Sequence, residues 1–124
     1  MSAKDRIQDK MNKYRALVEK LLFEEVEMVK RATNDDHDDT VIPYLIVDEE
    51  HDQYMAVRHG WAGKRRIHSP IVYIRFQNGK IWIEEDWTED GFANKLVAHD
   101  VPVTDIVLGF RHPSARPFTE FAVA

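Results

Sequence analysis

Tyr73-Ile74-Arg75-Phe76-Gln77-Asn78-Gly79-Lys80-Ile81-Trp82-Ile83-Glu84 is the stretch whose reading decides the fold. Asn-Gly is the preferred pair for a type I′ turn, because both central positions need positive φ. Such a turn pairs Gln77 with Lys80. Phe76 then faces Ile81 and Ile74 faces Ile83 on one side of the sheet, with Arg75/Trp82 and Tyr73/Glu84 on the other. The apolar alternation and the turn chemistry thus give one register independently.

Working outward, the hairpin predicts strands from Arg66 to Phe76, interrupted at Pro70, and from Lys80 to Glu85. An earlier strand spans Gln53 to His59, with Gly60-Trp61-Ala62-Gly63 as the turn that brings two strand ends together. The first strand spans Tyr44 to Val47, because Pro43 suits a strand start better than an interior; Asp48 to Asp52 connects it to the second. Upstream, Ile7, Met11, Tyr14, Val18, Leu21, Leu22, Val26 and Val29 form one drifting apolar stripe. They predict a helix from Ala3 to Arg31 that packs on a sheet. Ser2 with Asp5 gives it a capping box, Asp9/Lys13 and Glu27/Arg31 are acid-first pairs, and the acidic residues 34–39 end it as a loop. Downstream, Asp86 or Thr88 caps a second helix from Glu89 to His99, ended by Val101-Pro102. Ile106 to Phe110 is a fifth strand, and the apolar end from Phe121 packs down. The expectation is an α+β fold forming a single domain over residues 1–124: an N-terminal helix on an antiparallel meander, then a second helix and a final strand.

The bulk numbers narrow the function classes. Hydrophobic residues make up 44% of the chain, enough for a core, and there is no cysteine, which excludes disulfides and thiolate metal sites. The first twenty or so residues are charged and helix-like rather than a signal peptide, and no apolar run approaches the roughly 18 residues a membrane span needs. A bacterial cytoplasmic location is expected. The net charge of −5 argues against a whole surface for DNA, since phosphate neutralisation supplies most of that affinity. DNA contact is expected to be weak or indirect.

Within this acidic chain one basic cluster stands out: Arg58, His59, Lys64, Arg65, Arg66 and His68 around Trp61. Cations about an aromatic can hold a phosphate chain or an acidic partner, and the same residues would also serve as charged edge protection on a solvated hairpin. Arg75 and Trp82 join them as candidate contacts, because the register places them on the face away from Ile74 and Ile83. Asp86, Thr88, Glu89 and Arg116 form a candidate structural lock, Arg116 pairing with Asp86 or Glu89. The acid-histidine runs Asp35 to Asp39 and Asp48 to Asp52 lack the glycine and twelfth-position acid of a calcium loop. Glu84-Glu85-Asp86 lacks the following lysine of a metal-dependent nuclease. Tyr54 and Tyr73 lack the arginines of a recombinase, and no glycine-rich phosphate loop occurs. Neither a cofactor nor a catalytic residue is expected.

Taken in order, Asp48, Asp52-Gln53-Tyr54, Gly60-Trp61, Gly63-Lys64-Arg65-Arg66, His68 and Gly79-Lys80-Ile81-Trp82-Ile83 resemble the XisI family of fdxN element excision controlling factors. So do Asp86, Thr88-Glu89-Asp90-Gly91, Asp105 to Phe110, Pro113, Arg116, Thr119 and the closing Phe121-Ala122-Val123-Ala124. The resemblance runs from about Tyr14 to the end. Asp100 and Glu120 depart from it, each standing where the family often has glycine. The resemblance implies a non-catalytic control factor in programmed DNA-element excision, acting through an XisH-type, nuclease-like partner. The competing classes are a DNA-binding accessory factor using the basic hairpin and a metal-dependent enzyme. A homo-oligomer is the further partner class.

Overall fold

The computed structural model describes residues 2–33 and 40–124. The acidic segment 34–39, expected as a loop, lies outside them. The elements in chain order are α1 (Ala3–Thr33), β1 (Ile42–Asp48), β2 (Gln53–Ala62), β3 (Arg65–Gln77), β4 (Lys80–Asp86), α2 (Phe92–Ala98) and β5 (Ile106–Leu108). The fold is α+β. One five-stranded sheet has the order β1-β2-β3-β4-β5. The first four strands form an antiparallel meander, and β5, reached through α2, runs parallel to β4.

The β3–β4 turn has the conformation its residues demand. Asn78 and Gly79 have φ of 54° and 73°. Gln77 pairs with Lys80, Phe76 with Ile81, Arg75 with Trp82 and Ile74 with Ile83. Beyond Ile74 the ladder slips, so Tyr73 pairs with Glu85 rather than Glu84. A second irregularity lies between β2 and β3, where Ala56 pairs with Val72 but Val57 pairs with Pro70. Pro70 therefore sits at a bulge, one of the few interior places a sheet accepts proline, and β3 continues through it.

Two other boundaries move. Gly60, Trp61 and Ala62 belong to β2, not to a turn: Ala62 pairs with Arg65, and only Gly63-Lys64 connect the strands. Pro43 lies inside β1, which is tolerated because β1 is an edge strand.

Both helices cover the same face of the sheet. Met11, Tyr14, Val18, Leu21, Leu22 and Val26 of α1 pack with Tyr54, Val72, Ile74, Ile81, Ile83 and Ile106 of the sheet and with Phe92 and Leu96 of α2. Ile7, expected in the stripe, is 55% exposed at the N-terminal end of α1. The Ser2–Asp5 capping box forms in both directions, Asp5 N–H to Ser2 Oγ and Ser2 N–H to Asp5 Oδ2. Glu27 pairs with Lys30, and Asp9 and Lys13 do not form an ion pair. Glu25, on the buried side of α1, is paired with Lys95 of α2, so the one acid that breaks the apolar stripe ties the helices together. Such a pair tolerates burial only because both charges are satisfied.

The second helix starts three residues later than expected. Asp86 holds the preceding loop by accepting from Thr88 N–H (2.9 Å), Thr88 Oγ1 (2.6 Å) and Phe92 N–H (2.6 Å). Its carboxylate thus caps α2 from the end of β4, and Gly91, at the N-cap position, gives no side-chain cap. At the other end Asp100 takes the left-handed conformation (φ 68°). Asp100 N–H donates to Val97 O and Val101 N–H to Leu96 O, a Schellman ending in which aspartate fills the usual glycine place.

Candidate interaction surface

The basic cluster is carried on the β2–β3 hairpin, and strand alternation divides it between two faces. His59, Trp61, Arg66 and His68 share one face, because His59 pairs with His68 and Trp61 with Arg66. Arg58 and Arg65 alternate onto the other, and Lys64 sits in the turn. Trp61 is therefore not the centre of all six cations. Its immediate partner is Arg66, whose guanidinium lies 5.4 Å from the indole centroid and donates to Gly60 O at 3.3 Å. Trp61 is 48% exposed. His59 stacks edge-on against Tyr44 at 5.3 Å.

The hairpin charge is uncompensated within the described chain. No described carboxylate pairs with Arg58, Lys64, Arg65 or Arg66; every ion pair among the described residues lies elsewhere. Among the described residues, Arg58 is held by Ser69 Oγ, at 3.3 Å. A sequence signal for this was present: no Asp or Glu occurs between Asp52 and Glu84.

Trp82 is not on an open face. It is 7% exposed, and its indole donates to Gln77 O. Arg75 lies over it at 4.5 Å, held by Glu84 at 2.7 Å and by Gln77. Arg116 covers it at 5.2 Å. The second face of β4 and β5 is thus closed by side chains of this chain, so Trp82 serves packing. Arg116 does not reach Asp86 or Glu89 as the lock required. It donates to Arg111 O, Val123 O and Gly109 O, and so binds the C-terminal tail to itself and to Trp82. Asp86 and Thr88 form their own unit, the α2 cap.

The same face stays open farther along the sheet. Tyr44 and Ile46 of β1 are exposed, Met55 and Val57 of β2 are half-buried, and with His68 and Pro70 they line a pocket of about 250 Å³. Sequence reading missed this patch, since in β1 both faces are apolar and alternation could not say which was covered.

The remaining titratable groups act in packing. Tyr14 donates to Asp105 at 2.5 Å beside Lys10, and burial together with that bond raises its phenol above the ordinary value. Arg15 grips Asp52 with two donors, at 2.8 and 2.9 Å, which raises the guanidinium pKa. Burial likewise raises Tyr54, with Asp52 nearby. In the run Asp48 to Asp52, His51 donates to Asp48, lowering that carboxyl, while Asp52 belongs to Arg15. Among the described residues no group of three or more His, Asp or Glu side chains converges on a metal position. The run from Asp35 to Asp39 lies outside them. No helix among the described residues is long and apolar enough to cross a membrane.

The XisI protein family matches residues 8–123 of this sequence. The chain belongs to the XisI family. Among solved structures, it is similar to the fdxN element excision controlling factor XisI from Anabaena variabilis ATCC 29413. That protein is 41% identical, with a TM-score of 0.76 over 93% of this chain and 99% of the other. It is also similar to a XisI-like protein from the same organism, at 37% identity and a TM-score of 0.74, over 90% and 97% of the two chains. No curated protein matches it. The XisI likeness thus covers the hairpin, the Asp86 cap and the Arg116 tail together.

Proposed function

We propose that this XisI-family chain is a non-catalytic, cytoplasmic control factor for excision of a DNA element, working as the binding subunit of an XisH-type, nuclease-like partner. The observation that carries this reading is the β2–β3 hairpin: Trp61 half-exposed under Arg66, with Lys64, Arg65 and Arg58 free of described carboxylates. Tryptophan and arginine dominate the energetics of protein interfaces. A rigid strand pair presents both with little ordering cost. Family membership adds that a relative is a controlling factor, which suits a binding role. The direct test is co-purification of the chain with an XisH-type protein, comparing the parent with Trp61→Ala.

A second reading is favoured by the same unpaired cations: the hairpin touches DNA phosphate as an accessory factor. The net charge of −5 opposes it. The pure chain should retard DNA weakly, without sequence preference, and lose that binding as salt rises. Tight, sequence-specific retention at physiological salt would replace the partner reading with this one.

A further inference from the structure

Of the histidines among the described residues, three have a ring nitrogen engaged: His51 with Asp48, His99 with Lys95 O and His112 with Ser114. The other two, His59 and His68, face each other across β2 and β3. His59 makes an edge contact with the Tyr44 ring at 5.3 Å, and no described group bonds a nitrogen of either imidazole. His68 is exposed and borders the pocket that Tyr44 and Pro70 line. Gly63 (φ 61°) precedes a Lys64 without positive φ, which gives the hairpin a type II′ turn with Ala62 and Arg65 as its hydrogen-bonded flanking pair. Bonded and non-bonded pairs then alternate, so Trp61–Arg66 and His59–His68 are both non-bonded. The bond from Thr40 N–H to Trp61 O, at 3.0 Å, gives the same parity, because it turns the Trp61 backbone away from β3. In a non-bonded pair the Cα atoms stand about 4.5 Å apart and the Cβ atoms about 4.5–5.5 Å.

We propose that His59 and His68 form an open two-nitrogen site for a late first-row divalent ion, copper(II) ahead of nickel(II) and zinc. Two neutral imidazoles at this spacing can each aim one nitrogen at a single ion, with metal–nitrogen bonds of about 2.0–2.1 Å. Imidazole suits these metals, whereas calcium and magnesium take oxygen ligands. Arg66 shares the face, and its charge opposes any cation, although its guanidinium is turned to Trp61 and Gly60 O. That opposition favours the ion with the strongest hold on nitrogen, which the Irving–Williams order makes copper(II). The ladder fixes both backbones, so binding orders little beyond two rings. Two protein ligands leave the other coordination positions to water, unlike a closed structural site. The pair is hidden in the sequence, because only the strand register brings His59 opposite His68. The site needs neither a partner nor the Trp61 indole, so it stands or falls apart from the partner reading.

Copper(II) alone, titrated into the full chain at neutral pH in a weakly coordinating buffer, tests it. Calorimetry should show a saturable site for one ion per chain, and electron paramagnetic resonance should show two nitrogen ligands on it. His59→Phe keeps a ring against Tyr44 without a nitrogen, and His68→Gln acts at an exposed position. Each should raise the dissociation constant by at least about tenfold, leave one nitrogen on the residual ion and keep the metal-free melting midpoint. Should His59→Phe fail to fold, His68→Gln removes the other ligand. A variant with His37→Gln and with Asp35, Asp36, Asp38 and Asp39 replaced by Asn should retain both nitrogens. No saturable binding by the parent, full affinity in folded His68→Gln, or loss of the nitrogen ligands in the His37 variant would each overturn the proposal.

Discussion

Arg116 lies 5.2 Å from the centroid of the Trp82 indole and joins the C-terminal tail to the second face of the sheet. Its guanidinium also gathers three tail carbonyls, so one side chain ties the tail over Trp82, on the sheet face opposite α1 and α2. Trp82→Ala should therefore destabilise the protein by roughly 3–5 kcal/mol, the usual cost of emptying a buried aromatic site. Arg116→Lys keeps the charge but loses the planar stacking and the fork of donors. It should lower the melting midpoint and expose the tail to limited proteolysis. An unchanged midpoint in both variants would show that the tail does not depend on this contact.

Gly79 and Gly60 separate two kinds of glycine requirement. At Gly79 (φ 73°) a Cβ would meet open space, so Gly79→Val should cost only the backbone strain of a left-handed residue, roughly 1–2 kcal/mol. At Gly60 a Cβ would stand 2.0 Å from Thr40 O, a backbone atom that cannot yield without opening the β1–β2 ladder. Gly60→Ala should cost about 3 kcal/mol, at the upper end of ordinary substitutions. Chemical denaturation of the two variants decides it; equal losses would mean that the close approach of β1 is not maintained in solution.

The meander was legible in the sequence because Asn78-Gly79 fixes a register by local chemistry and the apolar alternation agrees with it. The α1 face was legible because six stripe residues repeat at helical spacing. What was not legible is what covers the second face. Trp82 and Arg75 alternate outward by register, yet Trp82 is covered by Arg75 and by Arg116, the latter more than thirty residues away in sequence, and no local pattern encodes that second contact. Glu84 and Pro70 were misplaced by bulges, which shift pairing by one residue without any change in composition. For the hairpin, the cations were visible but their division between two faces was not, because β2 runs three residues farther than the glycines suggested.

Tyr14 gives the fold a pH dependence with a definite sign. Its phenol is raised above the ordinary value by burial and by the bond to Asp105, so the folded state keeps a proton that the unfolded state loses near pH 10. That stability is complete below pH 10 and is lost as pH rises beyond it. Thermal melts between pH 8 and pH 11 should show the parent losing stability more steeply than Tyr14→Phe above about pH 10. Parallel curves would show that Tyr14 ionises equally in both states.

The central claim is that the exposed hairpin binds a partner, and co-purification tests it most directly. The chain, tagged and expressed with an XisH-type protein, should retain that protein, while folded Trp61→Ala should lose at least about tenfold in apparent affinity, as expected when an interface anchor is truncated. Undiminished retention by the folded variant, or no retention by the parent, would contradict the account.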